Sequence, residues 1–412
     1  MRPLCLFALW HLSGLSLAAQ APSFRQETFH GRQAYVLDNG TIRVSALRGA
    51  GHIAEIRFHS PDPRLAVNPM RVPHFPTIEP WEYRPEIHDK VYGGDTSRIL
   101  QSGYMGHLLN FPTFGAPSEA EARNGLGTHG EALTVEWKQR RAEASPSGVS
   151  LVYGAELPKT RYRVERTLDL AAQESVLYVE EAVENLLPFD RPMHWVQHVT
   201  FGDPFVEPGK TYLDMSAGKG EVRGAAAAWL ALRPGPLTWP SGVALDGTPV
   251  DLRPMVQKPG SGLYAGYLME PGRPLSYFTM YHEDYRVLIG YVWMTRDFPW
   301  IGDWQENRRA TQPPWNGKVI ARGMEFGTTP FGGPMRQVVE EGRLYGVPVY
   351  RWIGAGERLV TRYLAFLAEI PRGFRGVADL QVQDGFLLVT ERETGRTLRV
   401  AASRAAGLEP VP

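Results

Sequence analysis

Three short segments carry ionisable side chains in settings where chemistry could use them. RGMEFGTTPF, residues 322–331, sets one carboxylate, Glu325, between Met324 and Phe326, with glycines and Pro330 around it. GLGTHGEA, 125–132, holds His129 between glycines in a loop before an expected strand, where a ligand can approach the chain closely. MHWVQHVTF, 193–201, holds His194 and His198 four residues apart. A glutamate in apolar surroundings is seldom buried unless it is paired or used. Desolvated, it suits a general base, and a histidine can act as the matching acid. The plainer alternative is a Glu325 paired with Arg322 or Arg308 at a strand end.

The spacing of His194 and His198 would make a metal pair on a helix. Their frame is rich in Val, Trp and Phe and follows Pro192, which argues for a strand. On a strand, residues i and i+4 share a face but lie about 13 Å apart, too far to hold one ion. HExxH, CxxC and EF-hand patterns are absent, as are GxSxG and GxxxxGK[ST], so neither a metal nor a nucleotide cofactor is expected. The acidic run 303–306 leaves room for a calcium ion.

A second signal is aromatic. In WIGDWQENRRATQPPW, 300–315, read as a loop, tryptophans alternate with Asp303, Glu306, Asn307, Arg308 and Arg309. Sugars bind in such settings: an aromatic face covers C–H surface while Asp, Asn, Glu, His and Arg take the hydroxyls. Trp304, Asp303, Glu306, Asn307 and Arg308 are therefore candidate sugar contacts, with His129 and His194. An ordinary aromatic core with a polar rim is the competing reading.

These groups need a scaffold. The chain has 412 residues, 44 basic and 44 acidic side chains and a formal net charge of +0, so no basic excess points to nucleic acid. Its 43 glycines and 34 prolines are scattered between short apolar runs, which favours strands and turns over helices. Asn39-Gly40 between two alternating stretches signals a hairpin. Alternation recurs in ALTVEWKQ, RYRVERTLDL, SVLYVEEAVEN, RVLIGYVWM and RLVTRYLAFLAEI, and in a closing set with a turn at Thr394-Gly395. Helices are expected only at 117–125, capped by Ser118, and at 224–232. The fold class is all-β: a large antiparallel β-sandwich over 20–370, with 371–412 as a β extension on the same body.

Residues 1–19 read as a signal peptide, with Arg2, an apolar stretch from Leu4 to Leu17 and a small-residue cleavage site before Gln20. The lone cysteine, Cys5, lies inside it, so no disulfide is expected in the mature chain. A periplasmic or secreted location follows, with no membrane segment after cleavage.

In order, GLGTHGEA, ENLLPFDRPMHWVQHVTFG and RGMEFGTTPF resemble the motifs of the aldose 1-epimerase, or galactose mutarotase-like, family, and NGTIRVSALRGAGHIAEIRF resembles its first strands. The resemblance spans residues 34–370 in islands. It implies the family's supersandwich fold, a mono- or oligosaccharide ligand and no cofactor. It also implies His129 as a sugar-contacting histidine, His198 as the general acid and Glu325 as the general base. The family's N-terminal arginine would fall to Arg98. Its sugar-holding aspartate would fall to Asp246, although the LDG context differs. A non-catalytic sugar-binding domain, a lyase with a Tyr or His base, and a hydrolase pairing Glu325 with Glu306 or Asp303 are the other functions open to this sequence.

Overall fold

The computed structural model describes residues 21–224 and 231–408. The expected signal segment and most of the expected helix at 224–232 lie outside the described residues. Two antiparallel sheets face each other. One has eight strands among the described residues, from Thr211–Met215 at one edge to Lys138–Ser145 at the other. The larger one carries the site. Its middle runs His107–Asn110, Val196–Gly202, Ile320–Gly327, Trp300–Asn307, Ser261–Met269.

Strand alternation divides the side chains of this sheet into two sets. Val199, Ile301, Met324 and Phe326 enter the core between the sheets. There Phe326 stacks on Trp293 of the opposite sheet, with ring centroids 4.3 Å apart. The outer set, which includes His198, Trp304 and Glu325, faces the loops. The Asn39-Gly40 turn joins Arg32–Asp38 to Ile42–Leu47 as the sequence suggests. The Asn39 side-chain oxygen accepts the Ile42 amide at 2.8 Å, and Gly40 takes φ 82°. Ser118 caps the helix Glu119–Arg123 in a capping box with Glu121. Beyond 376, the strands Val377–Gln383, Phe386–Glu391 and Thr397–Ala401 form a separate sheet. Its Leu380, Leu387 and Val389 pack on Leu288, Val292 and Phe366, on the outer side of the eight-stranded sheet.

Three local expectations fail for identifiable reasons. The segment 300–307 is a central strand, not a loop, because its polar residues are satisfied within the fold. ALTVEWKQ does not begin a strand at 131. Ala132–Thr134 is a 3-10 turn, pinned because the Phe111 carbonyl accepts the Glu131 and Ala132 amides; pairing starts only at Lys138. Helices Pro85–Tyr92, Arg98–Gly103 and Met335–Glu341 were not expected. In the first, Ile87 and Val91 point to solvent, so no apolar stripe marks it.

Candidate functional site

His198 and Glu325 are direct partners across adjacent strands. Cross-strand neighbours of one register position share a face, so both side chains project outward from the sheet. His198 Nε2 lies 2.8 Å from Glu325 Oε1, with both side chains almost fully buried. The pair sits in a cavity of about 490 Å³ walled by Tyr104, Phe114, His129, Tyr264, Trp304 and Trp315 among others.

Glycines create this space. Gly323 and Gly302 lie on the same face as Glu325. A Cβ at Gly323 would stand 3.0 Å from the His198 ring and 3.1 Å from Trp304; one at Gly302 would stand 2.7 Å from the Tyr264 hydroxyl. The apolar flanks of Glu325 act elsewhere. Met324 and Phe326 point into the inter-sheet core, so they do not desolvate the carboxylate from the cavity side. Burial of Glu325 comes instead from Tyr264 and His198. The Tyr264 hydroxyl lies 3.0 Å from Glu325 Oε2 and 2.8 Å from the Pro330 carbonyl, so its single proton is shared between two acceptors.

The histidine states follow from their partners. The Gly115 amide donates to His129 Nδ1 at 3.0 Å, which leaves the ring proton on Nε2. Burial holds this imidazole neutral, well below the usual histidine range, with His198 adding a smaller push. The ring stacks on Phe114 at 5.2 Å and meets His198 edge-on at 5.5 Å. His129 adopts φ 68°, a left-handed conformation uncommon for a residue with a side chain. His198 Nδ1 lies 2.9 Å from Thr200 Oγ1, which also touches the Tyr104 hydroxyl. Trp304 and Trp315 meet edge to face at 5.9 Å and form an aromatic corner. The Arg71 guanidinium backs that corner, 4.4 Å from the Tyr104 ring centre and 5.2 Å from that of Trp315.

Of the residues singled out in the sequence, His129, His198, Glu325 and Trp304 converge on the cavity. The others do not line it. His194 lies behind the wall: its Nδ1 accepts the Phe114 amide at 3.0 Å and so supports the ring that backs His129. Asp303 points to the opposite face of its strand and clamps Arg322 at 2.9 and 2.7 Å inside the sandwich. Glu306 accepts the Ala310 amide at 2.9 Å and pairs with Arg309 at 3.1 Å, closing its own turn. Asn307 donates to the Val256 and Gln257 carbonyls. Arg308 is solvent-exposed, at φ 57°. Arg98 caps its local turn through the Gly94 carbonyl at 3.0 Å, although Leu100 and Gln101 of the same helix do reach the cavity. Asp246 lies in an exposed turn and accepts the Thr248 amide.

Neither Asp303 nor Glu306 therefore forms a carboxyl pair with Glu325, and on opposite faces of one strand they make no calcium loop. Among the described residues, no group of three or more His, Cys, Asp or Glu side chains gathers as a metal cage would require. Sequence reasoning missed Tyr104, Thr200 and Tyr264. Reading 300–307 as a strand would have exposed one signal, the outward-facing alternation of Gly302 with Trp304 beside that of Gly323 with Glu325.

Burial also sets an acid limit on stability. Desolvation lowers the pKa of His194 to about 4 and pushes those of His52, His107 and His129 well down. A histidine that stays neutral when folded but takes up a proton when unfolded stabilises the fold above about pH 6.5. That contribution is lost as pH falls from there toward 4, at up to about 1.4 kcal/mol per unit for each such group. Urea midpoints should therefore drop steeply between pH 6.5 and 4, and His194→Gln should flatten the drop.

No protein-family profile and no curated relative matches this chain. Solved structures do. A candidate aldose 1-epimerase from Klebsiella pneumoniae superposes with TM-score 0.60 at 11% identity, covering 84% of this chain and 83% of that one. A galactose mutarotase-like protein from Clostridium acetobutylicum gives 0.55 at 11% identity, over 85% and 99%. A candidate mutarotase from Salmonella typhimurium gives 0.52 at 10%, over 84% and 94%. At such identities the likeness establishes the architecture alone.

Proposed function

We propose that this chain, which has the galactose mutarotase-like fold, is an exported sugar-binding protein that interconverts the anomers of an aldose by acid–base catalysis. The observation that carries the reading is the 2.8 Å approach of His198 Nε2 to Glu325 Oε1 within a cavity bounded by two tryptophans.

In a cyclic aldose the C1 hydroxyl and the ring oxygen are bonded to the same carbon. Two catalytic groups must therefore reach two closely spaced oxygens, which suits an acid and a base in mutual contact. Glu325 takes the proton of the C1 hydroxyl. His198, in its imidazolium form, gives its Nε2 proton to the ring oxygen and is left neutral. The bond from C1 to the ring oxygen breaks and the C1 carbonyl forms. Rotation about the bond from C1 to C2 presents the other carbonyl face, and the same steps run in reverse close the ring. Each cycle returns both protons, so no cofactor is consumed. Tyr264 keeps Glu325 oriented, the Trp304–Trp315 corner covers the C–H face, and the Nε2–H of His129 is a fixed donor for a hydroxyl.

Polarimetry on freshly dissolved α-D-glucose and α-D-galactose tests this. The approach to equilibrium should speed up in proportion to protein added, and an unchanged rate with both sugars would contradict the reading. The export element has its own check. Cell fractionation should find the protein outside the cytoplasm with a mature N-terminus at Gln20; a cytoplasmic chain retaining Met1–Ala19 would refute it.

A further inference from the structure

The Tyr104 hydroxyl, Thr200 Oγ1 and His198 Nδ1 form a continuous line from the cavity wall to the side of the imidazole facing away from Glu325. Each hydroxyl has one proton to give, so the line can point in only two ways. With neutral His198 carrying its proton on Nε2 toward Glu325, Nδ1 accepts from Thr200 and Thr200 accepts from Tyr104. Every proton of Tyr104 and Thr200 is then spent inside the wall. With His198 as the imidazolium, Nδ1–H donates to Thr200, Thr200 donates to Tyr104, and the Tyr104 proton must turn out into the cavity. Buried donors without acceptors are costly, so a ligand oxygen held at Tyr104 favours the outward state.

We propose that Tyr104 is a ligand-contacting donor coupled through Thr200 to His198, so that a sugar oxygen bound at Tyr104 draws a proton onto His198. This rests on the sugar-site reading above and adds a way in which occupancy arms the acid. The step balances without a phenolate. A solvent proton adds to the Tyr104 oxygen, the former Tyr104 proton passes to Thr200, and the former Thr200 proton passes to Nδ1. Only the new N–H bond remains, and the line has reversed. Burial raises the pKa of Tyr104 far above the usual phenol range, which keeps it a donor in both states. The other groups facing His198 are Glu325 at 2.8 Å, the neutral His129 ring, the Trp304 ring and, through the sheet, His107; the Arg71 cation lies behind Tyr104. None of these offers Nδ1 another partner.

Calorimetric titration of D-glucose and D-galactose in buffers of different ionisation enthalpy counts the protons taken up on binding. The wild type should take up as much as about one proton per bound sugar below neutral pH. Tyr104→Phe and Thr200→Val, both close in shape to the originals, should still bind within about tenfold, as expected for one lost hydrogen bond, and should take up almost none. Binding without proton uptake in the wild type, or equal uptake in both variants, would overturn the relay. Absence of binding by both sugars would instead contradict the sugar site itself, and the relay with it.

Discussion

Glu325→Gln is expected to lower kcat/KM for anomerisation by about 100- to 10,000-fold, the range in which a positioned proton-transfer group contributes. Glutamine keeps the shape: its oxygen can accept from His198 Nε2–H, and its amide can donate to the Tyr264 hydroxyl, whose own proton goes to the Pro330 carbonyl. It cannot take the proton of a C1 hydroxyl. Sugar contacts from the tryptophan corner and His129 remain, so KM should move much less than kcat. The folded state should survive, because Glu325 reaches across the cavity side of the sheet and contributes nothing to the core formed by Met324 and Phe326. A variant that turns over as fast as the wild type would remove Glu325 from the mechanism.

Asp303→Ala should act in the opposite way, through stability. Asp303 and Arg322 are both fully buried, at 0% and 1% exposure. Asp303 holds one edge of the guanidinium with both carboxylate oxygens and also accepts from Gln305 at 3.0 Å. Arg322 has further acceptors in the Leu252 and Arg253 carbonyls, but these leave its charge uncompensated. Breaking such a pair costs about 3–5 kcal/mol. Urea denaturation should show the midpoint falling with little change in slope. The fraction that stays folded should keep its kcat/KM within a few fold, because the pair lies on the far side of the sheet. A large loss of activity at unchanged stability would return Asp303 to the site.

These two residues mark how far the sequence could be read. Asp303 and Glu325 carry the same chemistry and sit in similarly aromatic company, yet one is structural. The difference is strand parity, which becomes visible only once 300–307 is recognised as a strand. The apolar neighbours of Glu325 drew attention to it for a reason that belongs to the other face. His129 and His198 were legible as residues in Gly-rich or strand-forming contexts whose order matches a known family. The convergence of His198 with Glu325 was not, because it depends on cross-strand register between segments more than a hundred residues apart. Tyr264 and Tyr104 had no local signal: one lies within the mostly buried strand Ser261–Met269, which shows no alternation, the other in the irregular segment before His107–Asn110. The sandwich itself was legible, since alternation in strands such as Tyr162–Ala171 records a buried and an open face directly. Helix Pro85–Tyr92 escaped because it buries little.

Exchange spectroscopy on an equilibrated aldose tests the central claim most directly, because it reads α-to-β conversion without requiring a fresh anomer. With wild-type protein added to D-glucose or D-galactose, exchange cross-peaks between the two anomeric protons should appear, and they should vanish with equal Glu325→Gln. Cross-peaks of the same intensity with Glu325→Gln, or none with the wild type, would contradict the assignment of His198 and Glu325 as an anomer-converting pair.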